Sequence, residues 1–340
     1  MDYKRKVPSS FRKCLNAELG FWQNENIINS DQAVTLGHVP KSVVIIGAGA
    51  IGSEFASAWN DLGAEVTLVE MLPTVVPLED AEVGQELAKQ FKRRGIKVMA
   101  GAKVKLESIK AGDGGVELEI ESEGASQKLQ AEKLLIATGR GAVTQGLGLE
   151  ELGVKMERGF IKVDGQMSTG VPHLYAIGDV VGGVMLAHKA THEGFTAVEA
   201  ILGNNPRPLD PNRIPRCTYT RPQVASVGIS EDEARKNGHK VKVGNFPFSA
   251  NSMATILNER VGFAKMVIDE ETGEILGVHL LGPRVTELIY GPALAKLLES
   301  TMDEVALNVY PHPTLSDAIG EAAEDSEGMM INFFRDAPRG

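Results

Sequence analysis

An α/β architecture organised around a parallel sheet is what the sequence predicts, and three observations predict it. The apolar, β-branched run Val43-Val44-Ile45-Ile46 leads without a break into Gly47-Ala48-Gly49-Ala50-Ile51-Gly52, the pattern of a strand buried on both faces, then a tight turn and a helix. The alternating run Glu65 to Glu70 follows a helical stretch and closes a strand, helix, strand unit that is Rossmann-like in outline. Asn204 to Pro215 then interposes four prolines before a C-terminal region that mixes strands and helices, as an α+β domain does.

Taken in order, residues 1–23 carry Lys4, Arg5, Lys6, Arg12 and Lys13 against Asp2 and Glu18 with no periodicity, and read as a basic, solvated arm that continues as a linker to residue 38. After the strand at Val43 a helix is expected through Leu62, where Gly63 stops it. The Glu65 strand is followed by a helix over Ala81–Arg94 that closes at Gly95, and by a strand over Ile96–Met99. Short strands near 103–109, 115–121 and 127–130, turned at Gly112-Asp113-Gly114-Gly115, predict an antiparallel meander inserted before a last buried strand, Lys133–Ala137. Residues 39–159 thus make the first domain. A smaller segment over 160–209 should hold a strand near Leu174–Ile177, a glycine turn at Gly178-Asp179 and a helix from Ala187 to Leu202. Beyond the prolines, residues 210–335 predict an antiparallel sheet with helices packed on one face.

The composition narrows the function. With 43% hydrophobic and 24% charged residues the chain buries a real core. A net charge of -10 argues against nucleic acid or an anionic membrane as partner, and no run reaches the ~18 apolar residues that span a bilayer. The two cysteines, Cys14 and Cys217, stand far apart in sequence and offer neither a disulfide framework nor a metal cluster. Small ligands and protein partners remain.

The glycine pattern points to one such ligand. Gly47, Gly49 and Gly52 lie between a buried strand and a helix, where backbone amides and the positive helix end receive a pyrophosphate. Glu70 ends the second strand, where an acid accepts ribose hydroxyls. Its carboxylate repels a 2′-phosphate and Met71-Leu72-Pro73 offers no arginine to bind one, so the expected dinucleotide is NAD rather than NADP.

Further separated motifs carry a resemblance: Ser30-Asp31-Gln32-Ala33-Val34 into Val39-Pro40-Lys41-Ser42, Ala137-Thr138-Gly139-Arg140, Tyr175-Ala176-Ile177-Gly178-Asp179-Val180, Met185-Leu186-Ala187-His188-Lys189-Ala190 and His312-Pro313-Thr314-Leu315-Ser316. On these, residues 24–321 resemble the flavin-dependent pyridine nucleotide-disulfide oxidoreductases, and within them the dihydrolipoamide dehydrogenase branch. The resemblance implies a Rossmann-like NAD-binding domain over 39–159, a partial FAD-binding segment over 160–209 and a C-terminal dimerisation domain over 210–335. It implies that Asp179 binds the ribitol of FAD, that Met185, Leu186, Ala187 and His188 pass along the flavin, and that Val104 and Gly139 line the NAD adenosine pocket. His312, acting across a homodimer, would take a proton from a dihydrolipoyl thiol. A carboxylate five residues on would orient its ring, and Asp317 stands there in place of the family's glutamate. The missing methylene is expected to lengthen that hydrogen bond or to require a backbone adjustment. Glu54 corresponds to an acid that pairs with a lysine beside the flavin.

Two departures qualify what the resemblance implies. Ala142-Val143-Thr144 replaces the family's proline-asparagine-threonine. The family's first domain, with its own glycine fingerprint and a closely spaced redox cysteine pair, has no counterpart in the sequence. The implied function is electron transfer from the dihydrolipoamide of a 2-oxo acid dehydrogenase complex through a disulfide and FAD to NAD. Completing it would require a separate chain to supply the rest, unless the sequence is a truncated gene product. The alternative is a catalytically inactive NAD-binding dimerisation module. Residues 29–42 resemble the plastid and cyanobacterial branch, which implies a soluble compartment such as a stroma, a mitochondrial matrix or a bacterial cytoplasm.

Overall fold

The computed structural model describes residues 24–333; the arm expected over 1–23, with Cys14, lies outside them. Within the described residues one compact unit runs to Thr138 and resumes at Pro215, and a second spans Gly139–Ile214. Residues 139–159, grouped by sequence with the first domain, belong to the second unit.

The first unit begins with β1 (Ile27–Ile28) and α1 (Ser30–Val34), in a stretch for which the sequence predicts only a linker. An apolar pair is too short to carry a periodic signal, and it becomes a strand because it pairs in parallel with Leu134 and Leu135. The alternating strands and helices follow as β2 (Ser42–Ile46), α2 (Ala50–Asp61), β3 (Glu65–Glu70), α3 (Ala81–Arg93) and β4 (Lys97–Ala100). The meander is β5 (Lys103–Gly112), β6 (Gly115–Ser122) and β7 (Ala125–Ala131), and β8 (Lys133–Ile136) returns to the sheet. The parallel sheet has the order β1-β8-β2-β3-β4. The apolar runs Val43–Ile46 and Leu134–Ile136 fill its centre because both faces are covered there. Val43, Ile45 and Leu68 pack with Trp59, Leu87 and Phe91 of the helices, while Val44, Ile46 and Val69 pack beneath Val104, Leu118 and Ile120 of the meander.

The second unit contains the hairpin of β9 (Met156–Glu157) and β10 (Phe160–Ile161), a 3₁₀ turn at Gly178–Val181 and α4 (Ala187–Ile201). The strand expected near Leu174–Ile177 is not formed. Tyr175 makes a single bridge to Ser168, and Ala176 and Thr169 bond within the same short loop, which offers too little backbone for a ladder.

After Pro215 come β11 (Arg216–Thr218), β12 (Gln223–Gly228), α5 (Glu231–Lys236), β13 (Val241–Pro247), α6 (Ser252–Ile256), β14 (Phe263–Asp269) and β15 (Ile275–Gly282). Four helices close the region: α7 (Val285–Leu288), α8 (Tyr290–Leu297), α9 (Met302–Leu307) and α10 (Asp317–Asp325). The strands form an antiparallel sheet ordered β11-β12-β15-β14-β13. One face, with Val227, Phe246, Met266, Val278 and Leu280, packs against helical residues such as Val285, Ile319 and Ala322. Across the opposite face runs a polar row, one residue per strand in register: Arg216, Ser226, His279, Lys265 and Asn245.

That row meets the acidic start of α3. Lys265 Nζ lies 3.0 Å from Asp80, 3.1 Å from Glu82 and 2.8 Å from Glu231. Burial opposes its charge, but Glu231 and Asp80 more than offset this and hold the ammonium pKa above that of a free lysine. Arg216 and Ser226 both reach Glu79. His279 is fully buried; its Nε2 donates to the Ile229 carbonyl at 3.0 Å, and its Nδ1 has no partner among the described residues.

Burial holds the His279 pKa below the ordinary value, against the pull of Asp80 and Glu79. An unfolded chain therefore takes up a proton below about pH 6.5 that the folded chain refuses, so stability falls as pH falls, by at most about 1.4 kcal/mol per unit. Urea unfolding from about pH 7 to about pH 5.5 should show this decline, and His279→Gln should flatten it.

Candidate functional site

The glycine turn is shaped by close backbone contacts. Gly47 donates to the Val69 carbonyl at 2.8 Å and has φ +99°, and a Cβ there would lie 2.6 Å from the Ala137 oxygen. A Cβ on Gly52 would lie 1.8 Å from the Gly47 oxygen, so α2 packs this tightly only with glycine at that position. Gly49 caps α2 without a side-chain bond, which leaves the first-turn amides of the helix without intrahelical acceptors.

Glu70 is 4% exposed, and its carboxylate holds the turn. Oε2 accepts from the Ala48 amide at 2.8 Å and Oε1 from the Leu72 amide at 2.9 Å. The Ala48 carbonyl in turn accepts from Val76 N at 2.7 Å and Ser53 Oγ at 3.0 Å. Val104 is buried opposite Ile120 in the core under the meander. Gly139, with φ +121°, opens the second unit.

Glu54 points from α2 to the strand after the proline segment, where Oε1 accepts from the Tyr219 amide at 2.9 Å. No cation pairs with it among the described residues. Burial raises its pKa, and the Tyr219 amide only partly offsets that. Nearby Cys217 sits in β11, and its thiol is pushed up by burial and then by Glu79. A thiol so raised is a poor nucleophile.

His312 and Asp317 come together. Nδ1 lies 2.7 Å from Asp317 Oδ2, and the imidazole side chain is 65% exposed while Asp317 is 14% exposed. The expected lengthening does not occur. Asp317 is the first residue of α10, and its carboxylate accepts from Thr314 Oγ1 at 2.8 Å and Thr314 N at 3.3 Å. The helix start and this loop bring the shorter acid within reach, and the positive helix end favours its charge. No described hydrogen bond or ion pair joins this pair to Glu54.

In the second unit Asp179 lies on the 3₁₀ turn, with Oδ2 3.0 Å from Arg140, which also donates to the Met185 carbonyl. Met185 and Leu186 lead into α4, whose first turn holds Ala187 and the exposed His188. The sequence assigned no role to Lys189 and Glu193, a buried pair 2.7 Å apart on α4. Their i,i+4 spacing was the available signal.

Comparisons with known proteins bear on this geometry. The profile of the family described as "Pyridine nucleotide-disulphide oxidoreductase" matches residues 9–194, and that of its dimerisation domain matches residues 214–323. A dihydrolipoyl dehydrogenase of Bacillus subtilis is 44% identical over 91% of this chain and 65% of its own length. One from Zymomonas mobilis is 46% identical over 87% of this chain and 63% of its own. The chain thus spans less than two thirds of these relatives. Among solved structures, LpdA of Mycobacterium tuberculosis superposes with a TM-score of 0.80 and 30% identity, covering 88% of this chain and 64% of that one. RclA of Escherichia coli, an HOCl-induced flavoprotein disulfide reductase, superposes with a TM-score of 0.81 and 26% identity, covering 90% and 68%.

The bonds at Glu70 make a stability prediction. Glu70→Ala strands the Ala48 and Leu72 amides and should cost about 1–3 kcal/mol. A urea midpoint equal to that of the wild type would show that the carboxylate does not hold the turn.

Proposed function

Since the chain belongs to the pyridine nucleotide-disulphide oxidoreductase family, we propose that it forms the NAD-binding and dimer-forming part of a dihydrolipoyl dehydrogenase. That enzyme passes electrons from protein-bound dihydrolipoamide through a disulfide and FAD to NAD. The observation that carries this reading is the His312–Asp317 pair at 2.7 Å. A mere binding module has no use for an exposed imidazole held by a carboxylate.

The residues fit the roles. Asp317 fixes Nδ1 and leaves His312 Nε2 outward, where it takes the proton of a dihydrolipoyl thiol. The thiolate left behind is the nucleophile toward a disulfide, and Asp317 stabilises the imidazolium. Residues 39–159 bind NAD: the first-turn amides of α2 receive the pyrophosphate, and the free lone pairs of Glu70 accept ribose hydroxyls. The glycine cradle, which a Cβ would fill, suits a backbone approach. Val104 belongs to the adenosine side, and Glu54 to the acid near the nicotinamide.

Residues 160–209 contribute to FAD binding. Asp179 Oδ1 accepts no described hydrogen bond and suits a ribitol hydroxyl, with Met185, Leu186, Ala187 and His188 alongside. Bound flavin supplies the two-electron step between dithiol and nicotinamide. Cys14 and Cys217 have no redox spacing and do not supply the disulfide. Phe195, Val198, Ile201 and Leu202 leave α4 with an exposed apolar stripe, suited to packing against the segment that bears the redox cysteines.

Residues 210–335 form the homodimer. Tyr290, Leu294, Leu297 and Leu298 are exposed along α8, with Leu307 and Val309 beyond it, an apolar stripe suited to a symmetric interface. The lipoyl domain of a 2-oxo acid dehydrogenase complex is the partner in turnover. No described helix is long and apolar enough to cross a membrane, which suits work in a cytoplasm, stroma or matrix. A second reading, an NAD-binding dimerisation module without dithiol chemistry, is favoured by the raised Cys217 thiol and the cysteine spacing.

Two measurements test the proposal. Calorimetric titration should show NAD binding at least about tenfold more tightly than NADP, and equal affinities would overturn the role of Glu70. Sedimentation equilibrium should show a dimer, and a monomer at about micromolar concentration would remove the cross-subunit role of His312.

A further inference from the structure

The turn that carries Asp179 is flexible by composition. Gly178, Gly182 and Gly183 have φ +78°, +79° and +70°, and glycines at these positions leave the backbone freedom that other residues would remove. The Arg140 contact is a weak restraint, since its two side chains are 50% and 44% exposed.

A stronger restraint comes from α4. Glu193 Oε2 accepts from the Gly178 amide at 2.7 Å, and Lys189 Nζ donates to the Gly182 carbonyl at 3.0 Å. The same two groups pair with each other at 2.7 Å, with side chains 8% and 5% exposed. One buried ion pair thus grips both ends of the turn. Such a pair is a poor source of stability, because desolvation offsets its attraction and apolar replacements are often as stable. What it supplies is geometry.

We propose that Lys189 and Glu193 are positioning residues that fix the Gly178–Gly182 turn and so aim Asp179 at its flavin hydroxyl. This rests on the reading of Asp179 as a flavin ligand. The pair touches neither the cofactor nor the reacting atoms. Its effect is to hold Asp179 in one place before the ligand arrives, which removes an ordering cost from binding.

The test titrates FAD into the 340-residue chain by fluorescence quenching, alongside thermal unfolding and amide exchange at Gly178 and Gly182. The double variant Lys189→Leu/Glu193→Leu removes both buried charges together. It should stay folded with a lower Tm, because the Gly178 amide and the Gly182 carbonyl lose their partners, exchange faster at the two amides, and bind FAD about tenfold or more weakly. Wild-type affinity in the folded double variant overturns the inference alone. If the wild-type chain binds no FAD, the flavin reading fails and the inference with it. Should the double variant not fold, Glu193→Gln decides, measured where it is fully folded: weaker FAD binding supports the proposal, and unchanged affinity overturns it.

Discussion

A buried ammonium ties the antiparallel sheet of the larger unit to the start of α3. Lys265 lies on β14 of the antiparallel sheet with 2% of its side chain exposed, and Asp80 and Glu82 come to it from the start of α3 while Glu231 comes from α5. A charge so placed is tolerable only while its carboxylates stay within reach. The orientation of α3, and of the loop that leads to it from β3, is therefore tied to the register of a distant sheet. Val76, in that loop, donates to the Ala48 carbonyl within the glycine turn. The glycine turn and the C-terminal sheet thus share one chain of contacts.

Acids perform the same task across the candidate sites. Glu70 accepts from Ala48 and Leu72, Glu54 from Tyr219, Glu193 from Gly178, and Asp317 from Thr314. In each case a carboxylate fixes a stretch of backbone with no regular partner of its own, and bonds to a charged acceptor are the stronger kind. The chain is acidic, with 45 acids against 35 bases, and a part of that excess is spent inside the fold.

The sites combine fixed backbone with accessible side chains. His312 is exposed while the loop and helix start around Asp317 are bonded from three sides. Asp179 is likewise accessible on a turn held from below by α4. Both exposed side chains can be reached from solvent, while the groups that fix the backbone beneath them are buried and bonded.

The sequence by itself determined the elements whose signal is local. Val43–Ile46, Glu65–Glu70 and the glycine fingerprint announce the parallel unit, because a strand covered on both faces and a helix packed on a turn each leave a short-range pattern. The acid ending β3 was legible for the same reason, whereas the histidine with its acid five residues on was legible only through the family resemblance. Only the tertiary structure decided the rest. It recruited Ile27 and Ile28 as a strand through pairing with β8, and it refused a strand to Leu174–Ile177 for want of a ladder partner. It turned Glu70 into the anchor of its own turn, and it aligned Arg216, Ser226, His279, Lys265 and Asn245 into one row. Strand register and the partners of buried charges depend on residues far apart in the chain, and no window of sequence contains both sides of such a contact.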